Sequence, residues 1–387
     1  MIVFTYNQLI ISGNNIMKNE ANKSCIVVLY AILFLFIFTT CTFNQLSRTA
    51  VAADFRLGIG SSAGNFAYSN QDGKLNRKVV GFYAQDYPGD MLAYDSLACS
   101  HADIDTIAVF NCRVDGTGNL INQSTNHVVD LAKRENVKAL LLVHNFNNYI
   151  DKDAAHKVLL EENRNNLEEN LLYTIRQNGF DGVNIDLEGV PPGDRENYIK
   201  LLTELKELFS PHGYLLTVSI PAETRDNPKS DWSGAYEYSA IGEIADLVIL
   251  MTYDEHWSGG EPGPVASLPW VQQVLDYALE TIPKEKTLMG IAAYGYDWSA
   301  GKGHVIFWNG VNSLADKYGG AKWNDKFSSP FFTYYDEKGY KHEVWFENKY
   351  SLRLKLDLAN CYNIAGIAVW RLGFEDSSFW QTVSEKF

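Results

Sequence analysis

Cysteine is scarce in this chain. There are five in 387 residues, and no two have the CxxC spacing of zinc ribbons or dithiol redox motifs. A disulfide scaffold is thereby excluded, and no metal is expected. Basic residues are also few, 33 Lys and Arg against 47 Asp and Glu, for a formal charge of -14. A surface that acidic repels nucleic acid and anionic membranes, and it tolerates neutral or cationic substrates. No GxGxxG follows the first strand-like run and no GxxxxGK[ST] occurs anywhere, so a nucleotide-binding sheet loses support and no cofactor is expected. No repeat of 20–50 residues is evident, and no Ser/His/Asp or Cys/His arrangement stands out by spacing.

Apolar residues make up 46% of the chain and aromatic ones 13%, ample for a large core. The 22 Tyr, 20 Phe and 9 Trp exceed ordinary core needs, and flat rings are what sugar-binding grooves use. The N-terminus reads as a secretory leader over residues 1–52, with Met17 a possible start. Lys18 and Lys23 precede the apolar stretch Cys25–Phe38, and Ala50-Val51-Ala52 gives a small-x-small cleavage signal. That stretch is shorter than the ~20 residues a membrane span needs. An uncleaved anchor is the alternative, and either places the protein outside the cell or at its envelope. Loss of the leader leaves Cys99, Cys112 and Cys361, of which Cys99 and Cys112 could bridge. Residues 53–78, rich in Gly, Ser and Asn, read as a linker.

Beyond it, short apolar runs recur with amphipathic segments between them. The runs are Val79–Ala84, Thr106–Asn111, Ala139–Asn145, Gly182–Glu188, Leu215–Pro221, Leu247–Tyr253, Leu288–Tyr294 and Ile364–Leu372. Helical patterns lie between them at Asn122–Glu135, Asp153–Asn178, Asp194–Phe209 and Trp270–Thr281. Nearly continuous apolar strands alternating with helices imply parallel pairing, and eight such units imply an α/β fold of the (β/α)8 TIM-barrel type over residues 79–387. The gap before the last strand is too long for one helix. Residues 297–350 therefore predict a small α+β insertion between strands seven and eight, with a hairpin turning at Asp336-Glu-Lys-Gly339.

The most informative segment is Asp181-Gly-Val-Asn-Ile-Asp-Leu-Glu188. In an extended strand Asn184, Asp186 and Glu188 share one face, and Val183, Ile185 and Leu187 the other. Two close carboxylates are costly to bury unless they share a proton or bind something. Barrel active sites form at the C-terminal strand ends. There this strand meets Tyr83, His144-Asn145, Met251-Thr-Tyr-Asp254 and Val369-Trp370-Arg371. Glu188 at the tip has the profile of a general acid for glycosidic cleavage, kept protonated by Asp186 one pleat deeper. Two carboxylates on one strand cannot flank a sugar, so Asp186 is badly placed as a nucleophile. The acetamido oxygen of an N-acetylated sugar can attack instead, with Asp186 and Tyr253 orienting it.

Phe180-Asp-Gly-Val-Asn-Ile-Asp-Leu-Glu188 closely resembles the DGxxxDxE strand of glycoside hydrolase family 18, a substrate-assisted exception to the two-carboxylate rule. Met251-Thr-Tyr-Asp254, Tyr294-Gly-Tyr-Asp-Trp298 and Gly366-Ile-Ala-Val-Trp370 add to the resemblance, which covers about residues 79–380. It implies Glu188 as proton donor, Asp186 and Tyr253 as its catalytic partners, Asp254 as a sugar-hydroxyl ligand and Trp370 as the hydrophobic floor. Asn184, Tyr83, Tyr296 and Trp345 complete the expected substrate-binding set, with packing the competing role for Tyr296, Trp345 and Trp370. Many chitinases carry a third acid where this chain has Asn184. That departure and the aromatic insertion resemble the bacterial branch acting on cell-wall or spore-cortex peptidoglycan. Peptidoglycan cleavage at N-acetylglucosamine is thus the first expectation, chitin-type oligomers the second, and a non-catalytic sugar-binding barrel the rival class.

Overall fold

The computed structural model describes residues 77–122 and 126–387. The expected leader and nearly all of the expected linker lie outside the described residues. Each apolar run becomes a strand: β1 (Lys78–Ala84), β2 (Thr106–Val114), the short β3 (Leu120–Asn122), β4 (Lys138–His144), β5 (Gly182–Asp186), β6 (Leu215–Pro221), β7 (Leu247–Met251) and β8 (Thr287–Ala292). The insertion then contributes β9 (Tyr294–Ser299), β10 (Lys302–Phe307), β11 (Lys322–Asn324), β12 (Ser329–Tyr335) and β13 (Lys341–Phe346), and the chain re-enters the barrel at β14 (Gly366–Trp370). Strand β1 pairs in parallel with both β2 and β14, which closes an eight-stranded parallel barrel. Only β3 is appended to it antiparallel, as a hairpin with β2.

Helices α1 (Leu92–Ser100), α2 (Asn126–Arg134), α3 (Lys152–Val158), α4 (Glu161–Asn178), α5 (Arg195–Phe209), α6 (Tyr238–Ile244) and α7 (Leu268–Ala278) connect the strands. Helix α8 (Trp308–Lys317) belongs to the insertion; α9 (Lys349–Tyr362) and α10 (Ser377–Lys386) flank β14. The single helix expected over 153–178 is two. Leu160 is extended, and the Arg164 guanidinium fills the break by donating to Leu159 O at 2.7 Å. Helix α9 starts on a capping box in which Asn348 Oδ1 accepts from Ser351 N and Ser351 Oγ accepts from Asn348 N.

Strand parity sorts the core into two layers. Val80, Phe82, Ala108, Leu142, Ile249 and Leu288 fill the barrel interior. Alternate residues such as Val109, Leu141, Ile185 and Val218 face the helices. Cys112 is a free, buried thiol in the outer layer, so the open Cys99–Cys112 pairing does not form.

The insertion starts at Tyr294 rather than 297, because the alternating aromatics Tyr294, Tyr296 and Trp298 already belong to β9, Tyr294 pairing with Phe307 of β10 and the other two with β13. Its five strands run in the order β10-β9-β13-β12-β11, all antiparallel. Val311 and Ala315 of α8 pack on Phe332, Val344 and Phe346. The β12–β13 turn closes with Asp336 N–H donating to Tyr340 O at 3.0 Å, and Gly339 supplies the left-handed φ of +81°. Since β9 follows β8 after one residue, the insertion rises from the C-terminal rim of the barrel.

Candidate active site

Interior parity brings His144, Asp186, Met251 and Trp370 to the upper end of the barrel from four different strands. The β4–β5 ladder ends with His144 opposite Asp186. Strand β5 stops there, two residues short of the expected end. Glu188 is carried by the turn that follows, in which Gly189 takes φ of +63°. Asp186 is buried, and its Oδ1 has no hydrogen-bond partner among the described residues. Burial and the adjacent Glu188 raise the Asp186 pKa well above the usual carboxylate range. Glu188, half-buried, is pushed up to about 7 by burial and by Asp254. The pair therefore holds a proton near neutrality, which is the state a general acid needs.

Opposite stands the segment after β7. Burial, with the anions Asp186, Glu188 and Asp254, raises the Tyr253 pKa far above the ordinary phenol value. Its hydroxyl is thus a fixed O–H donor. A side chain at Gly290 on β8 would meet Tyr253 Cε1 at 2.8 Å and Leu250 O at 2.6 Å, so the glycine makes room for the ring. Asp254 has a left-handed φ of +59°. Its Oδ1 accepts from Tyr294 Oη at 2.5 Å and Tyr296 Oη at 2.8 Å, so the insertion orients this carboxylate directly.

Trp370 is half-buried over the barrel's aromatic interior, edge-on to Phe82 at 5.2 Å and Phe110 at 5.4 Å between centroids. Arg371 anchors the strand end behind it, donating to Ala84 O at 2.7 Å and pairing with Asp86 at 2.5 Å. Beside it His144 stacks on Phe110 at 4.1 Å, and its Nδ1 accepts the Phe146 N–H at 3.1 Å. Burial and Arg113 lower the His144 pKa to about 3. A neutral ring whose Nδ1 accepts carries its proton on Nε2, so His144 is an uncharged donor at the strand end.

Four expected substrate contacts have other partners. Tyr83 has the wrong parity: it points into the helix layer, and its hydroxyl lies 3.3 Å from His127 Nε2, while Phe82 takes the interior side. Asn184 does lie below Asp186, but it is fully buried and its amide is spent on Thr217 and Ser219 of β6, out of a ligand's reach. Tyr296 is fully buried and acts on Asp254 rather than on a sugar. Trp345 is stacked on Phe331 at 4.7 Å with Nε1 donating to Glu343, so it packs the insertion.

The sequence puts His144 and Asn145 at a strand end and Tyr294 in a motif, but assigns none of the three a role. Tyr294 was visible in its motif, but only the fold shows both phenols meeting Asp254. Asn145 is fully buried, and its amide grips the main chain of Glu188, a contact 43 residues away in sequence that leaves no local signal. Among the described residues no group of three or more His, Cys, Asp or Glu could hold a metal ion.

Residues 64–375 match the family model for glycosyl hydrolases family 18. The chain is 34% identical over 326 residues to the Bacillus subtilis glycosylase YvbX, covering 82% of this chain and 94% of that one. It is 29% identical over 290 residues to the cortical fragment-lytic enzyme of Bacillus subtilis, covering 73% and 67%. Among structures, the Bacillus cereus spore cortex-lytic enzyme SleL superposes with a TM-score of 0.78 at 27% identity, covering 81% of this chain and 75% of that one. A Chromobacterium violaceum chitinase superposes with a TM-score of 0.75 at 30% identity, covering 80% and 98%. The match over most of the barrel, with the carboxylate pair at the end of β5, the fourth barrel strand, makes this chain a glycosidase that belongs to glycosyl hydrolase family 18.

Proposed function

We propose that this chain hydrolyses β-linked N-acetylglucosamine polymers, with wall or spore-cortex peptidoglycan the first substrate, by a retaining, substrate-assisted route. One observation carries the mechanism: Asp186 is buried beside Glu188 with a raised pKa and an Oδ1 that has no partner among the described residues. Glu188 donates its proton to the leaving oxygen. The acetamido oxygen attacks the anomeric carbon, and the acetamido N–H turns to Asp186 Oδ1 while Tyr253 donates to the carbonyl oxygen. The glycosidic C–O bond breaks as the oxazolinium ring closes. Water, deprotonated by Glu188, then opens the ring, which restores both the acetamide and the protonated acid. Asp254 binds a sugar hydroxyl and Trp370 forms the floor of the site.

The likeness to cortex-lytic enzymes supports peptidoglycan, and the likeness to the Chromobacterium chitinase supports chitin-type oligomers as the second reading. The basic and short apolar N-terminal segment supports export, with membrane attachment if the leader is kept. Product masses from purified peptidoglycan and from chitin oligomers, wild type against Glu188→Gln, test the proposal. Glu188→Gln should lower turnover by about 10²–10⁴-fold. Equal activity of the two proteins overturns the acid assignment, and ready cleavage of a de-acetylated substrate overturns the acetamido nucleophile.

A further inference from the structure

We propose that Asn145 is a positioning residue for the proton donor, aiming Glu188 through its main chain. The inference rests on Glu188 being the acid. Backbone pairing between β4 and β5 ends at His144 and Asp186, two residues short of Glu188. From there the Asn145 side chain takes over the ladder. Its Oδ1 accepts the Glu188 N–H at 2.8 Å, and its Nδ2 donates to Glu188 O at 2.8 Å and to Asp151 O at 3.0 Å. All three hydrogen-bonding capacities that point at neighbours are used, and the residue is fully buried.

A second side chain grips the same turn from the helix side. Tyr236 Oη donates to Leu187 O at 2.7 Å and accepts the Val190 N–H at 3.4 Å. The peptide units on both sides of Glu188 are therefore fixed, although the residue lies outside any strand. Among the described residues no hydrogen bond holds the Glu188 carboxylate itself. Its direction then depends on where the backbone launches it, and the clamp sets that launch. Proton transfer requires the acid within hydrogen-bond reach of the leaving oxygen, so a small rotation of this turn weakens acid catalysis before it weakens binding.

Leaving groups separate aim from folding. A sugar leaving group needs its oxygen protonated, whereas an acidic phenol departs with little help. Asn145→Ala, and Asn145→Asp as a better-tolerated variant that keeps the acceptor for Glu188 N–H, are assayed on an N-acetylglucosamine oligomer and on its nitrophenyl β-glycoside. Thermal melts of each protein and parallel assays of Glu188→Gln accompany them. The expected result is a kcat on the oligomer reduced by about ten-fold or more, with the aryl glycoside within about two-fold of wild type and KM little changed for both. Asn145→Asp should fall between wild type and Asn145→Ala. Equal losses on the two substrates, a change confined to KM, or wild-type kinetics in both variants would overturn the proposal. If Glu188→Gln itself keeps oligomer activity, the acid assignment fails instead, and the two failures are distinguished.

Discussion

Ser219 Oγ donates to Asn184 Oδ1 at 3.0 Å, and the other end of the same amide donates to Thr217 Oγ1 at 2.9 Å. A neutral amide, hydrogen-bonded at both ends, thus occupies the barrel layer below Asp186, where many chitinases have a third acid. Asp186 and Glu188, both with raised pKa values, therefore have no titrating group beneath them on β5.

Asn184→Asp puts a carboxyl group at this fully buried position. Its Oδ has to accept from Ser219 while it competes with Asp186 for protons, and each anion raises the pKa of the next. The alkaline limb of the kcat/KM profile should move to higher pH, with the melting temperature lowered at neutral pH. A pH profile superimposable on the wild type would show that the residue below Asp186 is electrically silent.

The raised carboxyl pKa values also tie stability to pH. In the unfolded chain Glu188 ionises near the ordinary value of 4.5, but folded it keeps its proton up to about 7. Asp186 is shifted in the same direction. The folded state therefore binds protons that the unfolded state releases, and stability falls as pH rises from the usual carboxylate range towards 7. Replacing Asp186 by Asn removes that penalty. Melts at pH 5 and pH 8 should show Asp186→Asn gaining about 1–2 kcal/mol over wild type at the higher pH and far less at the lower. A wild-type-like difference at both pH values would count against a buried, strained acid pair.

How far the site could be read beforehand follows from which interactions are local. The carboxylate pair and the tyrosine and tryptophan motifs sit on or just after short strands whose period-two pattern fixes the face, so Asp186 and Trp370 come to the upper end of the barrel and Tyr253 within electrostatic reach of Asp186 and Glu188. Parity failed at Tyr83, because the end of β1 offers two adjacent aromatics and only packing on Trp370 decides that Phe82 is the inward one. The split of the 153–178 helix was hidden because Leu159-Leu160 continues the apolar rhythm while the backbone at Leu160 extends. Trp345 could be placed on the insertion and Tyr296 just before it, but whether a buried ring meets sugar or protein depends on strand neighbours far away in sequence.

Removing either phenol from Asp254 should weaken sugar binding. Tyr294→Phe and Tyr296→Phe each delete one O–H donor to the same carboxylate oxygen and leave the ring packing intact. A hydrogen bond to a charged group contributes about 1.5–3 kcal/mol, so each variant should lose about ten-fold or more in kcat/KM, and the double variant less than the product of the two. Steady-state kinetics on an N-acetylglucosamine oligomer supply the numbers. Multiplicative losses in the double variant would mean that the phenols act on separate targets.

Trp370 packs against the core but is only half-buried. Phe82 and Phe110 meet it edge-on from the barrel interior, and part of the indole stays accessible. If that accessible part is the floor under the cleaved sugar, Trp370→Phe should keep the fold, because a smaller ring still covers the same two neighbours. The loss of stacking area should then appear in binding. We expect the melting temperature to fall by a few degrees, consistent with about 1–2 kcal/mol lost from a partly buried large-to-small change. The dissociation constant of an N-acetylglucosamine oligomer, measured by calorimetry on the Glu188→Gln background so that nothing is cleaved, should rise about ten-fold. A variant that melts lower yet binds the oligomer as tightly as its parent would make the indole a core residue, and the floor of the site would then have to come from another strand end.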